Sequence, residues 1–187
     1  MEKEKKYLPL IIIAIVSLLT FVFLAMPIAI IKDPITNTIT GPSAYEYNEN
    51  IKPNIPELKR QISYLKDFPF AAADVNIAKA SIKIYYDNIA VMVLAALCLA
   101  VSSAGIVIGV KNKGGKRLFF GITVTAIVLT FGIFICGCIS VSNLEIIKTL
   151  SDSGLKTTLL SPVLVLVLGL ISTIGCSILV ALNNKKN

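Results

Sequence analysis

The chain has 187 residues, 55% of them hydrophobic and only 16% charged, with 18 Lys and Arg against 11 Asp and Glu. Soluble domains carry roughly 25% charged residues, so this composition excludes an ordinary soluble fold and points to a bilayer. No histidine is present, which removes the commonest general acid–base group.

The segment before the first apolar run, Met1–Lys6, is a short charged tail. Tyr7–Ile31 follows without a charge, longer than the apolar core of a cleaved signal peptide, and with Phe23 where a small residue would precede the cleavage site Phe23-Leu24-Ala25. It is expected to be retained as a first transmembrane span. Pro9 falls in its first turn, where a missing N–H costs little, and Pro27 is expected to kink or end it.

Lys32–Asn88 is the one sizeable polar region. Its first part, from Asp33-Pro34 to Asn54, is rich in Pro, Gly, Asn, Thr and Ser and reads as irregular chain with a turn at Thr40-Gly41-Pro42-Ser43. Asn54 is then placed to cap a helix that has Pro56 in its first turn and Glu57 at its positive end. Ile55, Leu58, Ile62 and Leu65 recur at spacings of three and four and so form one apolar stripe. Its expected cover is the next helix, whose own stripe is Val75, Ala78, Ile82, Tyr85, Ile89 and Met92; a partner protein is the alternative, and the membrane interface a third. Asn76, Lys79, Lys83 and Asp87 form the polar stripe opposite.

The second span is Ile89–Val110 and the third Leu118–Ser142, each about the 20 helical residues a hydrocarbon core requires. They are joined by a basic turn, 111–117, that carries Lys111, Lys113, Lys116 and Arg117 and no acid. Such a turn is retained in the cytoplasm and lies among anionic headgroups. A short outer loop, 143–158, leads to the fourth span, Leu159–Leu182, with Ser161-Pro162 as its start signal, and 183–187 forms a second inner tail. In this topology the inner segments hold nine basic and two acidic residues, and the outer segments nine of each. All of the net +7 therefore lies inside, as a topological signal, and no nucleic-acid partner is expected.

The small residues within the spans are the informative membrane feature. Gly105-Ile-Val-Ile-Gly109 is a GxxxG, and Gly132, Cys136 and Ser140 continue a small-residue row on span three. These rows let helix backbones approach closely, so Gly105, Gly109 and Gly132 are expected to be helix-packing positions, within the chain or at a homo-oligomer seam. No Asp, Glu, Lys, Arg or His falls inside a span, which argues against a proton-coupled pump. Cys136-Gly-Cys138 is the only close thiol pair, too few ligands for structural zinc, and no cofactor is expected.

The span order, with its long loop between spans one and two, resembles the claudin-type layout. That family's loop carries a Trp…Gly-Leu-Trp…Cys…Cys signature, and this loop has neither Trp nor Cys. No family is assigned on topology alone.

The expectation is thus an all-α integral membrane protein: a four-helix transmembrane bundle with a small, mainly helical extracytoplasmic domain, multi-pass in the cell membrane with both termini cytoplasmic. The expected role is a non-enzymatic scaffold or accessory subunit, held in membrane lipids, that binds protein partners through the outer loop, with a homo-oligomer as the other expected partner. A subunit of a small channel or exporter is the alternative.

Overall fold

In the computed structural model residues 7–33, 37–110, 116–150 and 156–185 are described. They are all-α in their bulk, and three helices, lying in Pro69–Val110, Arg117–Leu150 and Ser161–Leu182, are long and apolar enough to cross a membrane. The chain divides into two compact units. The first comprises Met1–Val22, Val91–Ile135 and Val165–Asn187, and the second Phe23–Ala90 and Cys136–Leu164.

The first helix, α1, spans Leu8–Leu24. Its two buried hydroxyls do not go unpaired in apolar surroundings: Ser17 donates back to Ile13 O at 2.7 Å and Thr20 to Val16 O at 2.9 Å. Helix ends where the Met26 N–H turns back to Phe23 O and Pro27 offers no donor to continue the ladder. The apolar residues after it are extended, not helical. Strand β1, Ala29–Asp33, is the centre of a three-stranded antiparallel sheet, between β2, Asn37–Thr40, and β3, Lys156–Leu159. Ile31 is registered against Ile39 on one side and Thr157 on the other.

The sequence reading of irregular chain from Asp33 to Asn54 is therefore corrected twice. The strands are rich in β-branched Ile and Thr, but β1 pairs with a segment far along the chain, which no local pattern signals. Next, helix α2 covers Ala44–Ile51. A capping box starts it: Ser43 Oγ accepts from the Glu46 N–H at 3.2 Å, and Glu46 Oε2 accepts from the Ser43 N–H at 2.8 Å. The Ser-x-x-Glu spacing was visible in the sequence as its signature.

A 3₁₀ turn, Lys52–Asn54, leads into helix α3, Ile55–Leu65. Asn54 is not the side-chain cap expected of it. Its amide donates back to Asn50 O at 2.9 Å, because the preceding turn already holds Asn54 in helical backbone. A second 3₁₀ turn, Pro69–Ala71, opens helix α4, Ala72–Val110, the longest of the chain. Helix α5 spans Lys116–Leu150 and α6 spans Ser161–Lys185. The loop expected at 143–158 is thus replaced by two further turns of α5 and by β3, with 151–155 outside the described residues.

Within the first unit, the buried rows step by three and four: Leu10, Ile13 and Ser17 on α1; Val91, Ala95, Cys98 and Ser102 on α4; Phe119, Thr123, Ala126, Thr130 and Ile133 on α5; Val165, Gly169, Ser172 and Cys176 on α6. Within the second, Ala71 is buried in the second 3₁₀ turn, Val75, Ala78, Ile84 and Asn88 along the start of α4, and Ala44 at the start of α2. The expected stripe through Ile89 is therefore rotated: Ile89 is exposed, and the polar Asn88 is inside.

Candidate interaction surface

The small-residue positions are brought into close contact inside the first unit. A Cβ at Gly105 would lie 2.7 Å from Ile122 Cγ2 and 2.8 Å from Leu10 Cδ1, and one at Gly132 would lie 3.2 Å from Leu94 Cδ1. At Gly109 it would overlap the Tyr7 ring. That ring meets Phe119 edge-on, with centroids 5.5 Å apart, and its hydroxyl donates to Gly109 O at 2.8 Å. The absence of a side chain at Gly109 is what admits the tyrosine.

Gly169, which the sequence does not single out, lies closely against a neighbouring backbone. A Cβ there would lie 2.8 Å from Phe134 N. One turn beyond, Thr173 Oγ1 stands 3.1 Å from Thr130 Oγ1, and the buried Cys176 thiol donates to Pro9 O at 3.6 Å. These contacts join α1, α5 and α6 through small or hydroxyl-bearing side chains. The signal was a glycine at helical spacing from Ser172 and Cys176.

In the second unit, α2 is tied to the start of α4 by two polar contacts. Tyr47 donates its hydroxyl to Ser81 O at 3.2 Å, and the Asn88 amide donates to Asn48 Oδ1 at 3.1 Å. The Asn pair accounts for the buried Asn88, since an amide is stable out of water only when partnered. Burial of Tyr47 pushes its phenol pKa up, and the bond to Ser81 partly opposes that.

The helix α3 face is only half withdrawn from solvent. Ile55, Leu58, Ile62 and Leu65 are all half-buried, and no residue of α3 is fully buried. Its polar side carries the exposed pair Arg60–Glu57 at 3.0 Å, which holds the Glu57 carboxyl below its usual range. An exposed pair of this kind contributes little to stability.

At the end of α3 the chain presents an aromatic cluster. Tyr64 and Phe68 have ring centroids 5.9 Å apart, and Phe68 and Phe70 5.5 Å apart. Their exposures are 72%, 40% and 83%. Pro69, at the start of the 3₁₀ turn, restrains the backbone between the two phenylalanines. In sequence, Phe68-Pro69-Phe70 signals only a break between helices.

Of the basic turn, Lys111 and Lys113 lie outside the described residues, as does the side chain of Lys116, while Arg117 is exposed at the start of α5. Among the described residues, no group of three or more His, Cys, Asp or Glu side chains is arranged to hold a metal. Comparison of the chain with protein-family models, with curated proteins and with solved structures finds no match in any of the three.

Proposed function

We propose that the chain is a four-span membrane scaffold or accessory subunit, not an enzyme. It docks a protein partner through the face of α3 and the adjoining aromatic cluster. The single observation that carries this reading is the Tyr64–Phe68–Phe70 cluster, in which Phe68 touches both other rings and all three are open to solvent. Aromatic side chains held rigid at a surface are the commonest anchors of protein interfaces, and monomeric proteins rarely leave them clustered without use.

The four-span topology is supported by lengths. Helix α1 has 17 residues, about 25 Å at 1.5 Å per residue, at the short end of what crosses a hydrocarbon core. Helix α4 has 39 residues, about 58 Å, roughly twice that core. A crossing by the charge-free stretch Ile89–Val110 leaves residues 72–88 beyond the bilayer, together with the α3 face and the aromatic cluster that belong to the same unit. The basic turn then faces the cytoplasm, with both termini.

The reading is tested by replacing Tyr64, Phe68 and Phe70 together with alanine in cells and following one defined photo-crosslinked adduct formed from position 62. Truncating interface anchors costs about 2 kcal/mol or more, roughly thirtyfold in affinity. The adduct should disappear while the spans still insert. An adduct of unchanged yield, or lipid as the sole product, would reject the docking surface.

A further inference from the structure

The polar stripe of α4 contains one residue that does not behave as a solvated surface group. Asn76, Lys79 and Lys83 are exposed, but Asp87 is half-buried, and its Oδ2 is enclosed with no hydrogen-bond partner among the described residues. It belongs to the second unit, as does the part of α5 from Cys136 onward. The Asn143 side-chain amide donates to the carboxylate and also to Ile139 O at 2.9 Å, and Asn143 is itself buried. One carboxylate oxygen is therefore left enclosed without a hydrogen-bond donor among the described residues.

The groups around it are few. Lys83, one turn back on α4, attracts the carboxylate but is exposed to solvent. Cys136 on α5 is the other titratable neighbour in range. Helix α2 faces the adjoining turns of α4 with Tyr47 and Asn48, both engaged with Ser81 and Asn88, and its carboxylates Glu46 and Glu49 are exposed. Glu145 on α5 is half exposed and paired with Lys148.

A hard metal ion is poorly served here. It needs several oxygen ligands, whereas the nearest partner presents an N–H and the nearest charge is positive. The smallest cation has no such requirement. We propose that Asp87 is a proton-binding site, and that a proton taken up on its carboxylate tightens the packing of α4 against α5 in the second unit. The step is a simple one: a proton from water adds to the enclosed oxygen and leaves a neutral carboxyl, which an apolar setting tolerates far better than the anion.

Burial is the main influence on this carboxyl and pushes its pKa above the usual value, more than the Asn143 bond and Lys83 lower it. The sign of the linkage follows. The folded chain holds the proton more tightly than the unfolded chain, so stability is greatest below the unfolded value and declines as pH rises through the folded one. Glu57, held low by Arg60, pulls in the opposite direction, so the two are separable by substitution. This inference goes beyond the docking reading and stands without it. If the second unit lies outside the cell, the site responds to external acidity.

The test uses the full chain in lipid nanodiscs, with thermal unfolding followed against pH in the wild type and in Asp87→Asn. The wild type should lose stability as pH rises above the ordinary aspartate range, and the variant should lose that slope and unfold later once the wild-type carboxyl is ionised. Equal slopes in the two proteins would overturn the proposal. Should Asp87→Asn fail to fold, carbon NMR of the aspartate carboxyls in the wild type and in Lys83→Gln gives the answer. One carboxyl should titrate above the ordinary range and move higher still when the Lys83 charge is removed. Titration of every carboxyl in or below the ordinary range, or no movement in Lys83→Gln, would sink it.

Discussion

At Gly169 of α6 an added Cβ would meet Phe134 N at 2.8 Å, Cα at 2.9 Å and Cβ at 3.1 Å, whereas at Gly175 on the same helix nothing lies within 4 Å. The first obstacle is largely backbone, which cannot turn aside as the tip of a side chain does. Overpacking of this kind costs about 1–3 kcal/mol. At Gly175 the only expected effect is the gain of helix preference, up to about 1 kcal/mol. Gly169→Ala should therefore lower the thermal midpoint of the purified protein, and Gly175→Ala should leave it unchanged or raise it. Equal effects of the two substitutions would mean that α6 does not approach α5 at Gly169 as described. The same logic distinguishes Gly109 from Gly105. The first must stay empty for an aromatic ring, the second only for the flexible tips of Ile122 and Leu10, so Gly109→Ala should be the more damaging.

At the scale of elements, α2 depends on its first turn. It has eight residues, too few to be stable alone, and relies on the Ser43–Glu46 box and on the Asn48–Asn88 and Tyr47–Ser81 contacts. Ser43→Ala should cost about 1 kcal/mol, seen as faster hydrogen exchange across the amides of α2 with those of α6 unaltered. Uniform acceleration throughout the chain would show that α2 is not a separable unit of stability. Elements of this kind also mark what was legible in the sequence. The long apolar helices were, because 3.6-residue periodicity and the absence of charge are local signals. The α3 stripe was, for the same reason. The sheet was not, since β1 finds β3 from across the chain, and neither was the burial of Asn88, which depends on Asn48 being carried to it by α2. The exposed aromatic cluster escaped notice because exposure is a property of the folded surface, while Phe68-Pro69-Phe70 in sequence reads only as a helix break.

For the whole molecule the decisive matter is the side of a membrane to which residues 32–88 would be carried, because the proposed docking by α3 and the proposed proton site at Asp87 take their meaning from it. Lysine and arginine placement supplies the argument. With the turn 111–117 inside, the inner segments carry the entire charge excess and the outer ones balance to zero; inverting the chain would carry four cations of one short turn across the bilayer, against the strongest known orientation bias. Of the four native cysteines Cys98 and Cys176 are buried, but Cys136 is half-buried and Cys138 exposed, so a thiol assay starts from a chain with Cys136 and Cys138 replaced by serine. A cysteine at the exposed Tyr64 should therefore react with a membrane-impermeant maleimide on intact cells, and one at the exposed Arg117 only after the membrane is opened. The 17-residue α1 adds a second arm to the same measurement. If α1 crosses, a cysteine placed in the tail before Tyr7 should behave like the one at 117; if α1 instead lies along the surface, it should behave like the one at 64, and the molecule would have three crossings with its ends on opposite sides.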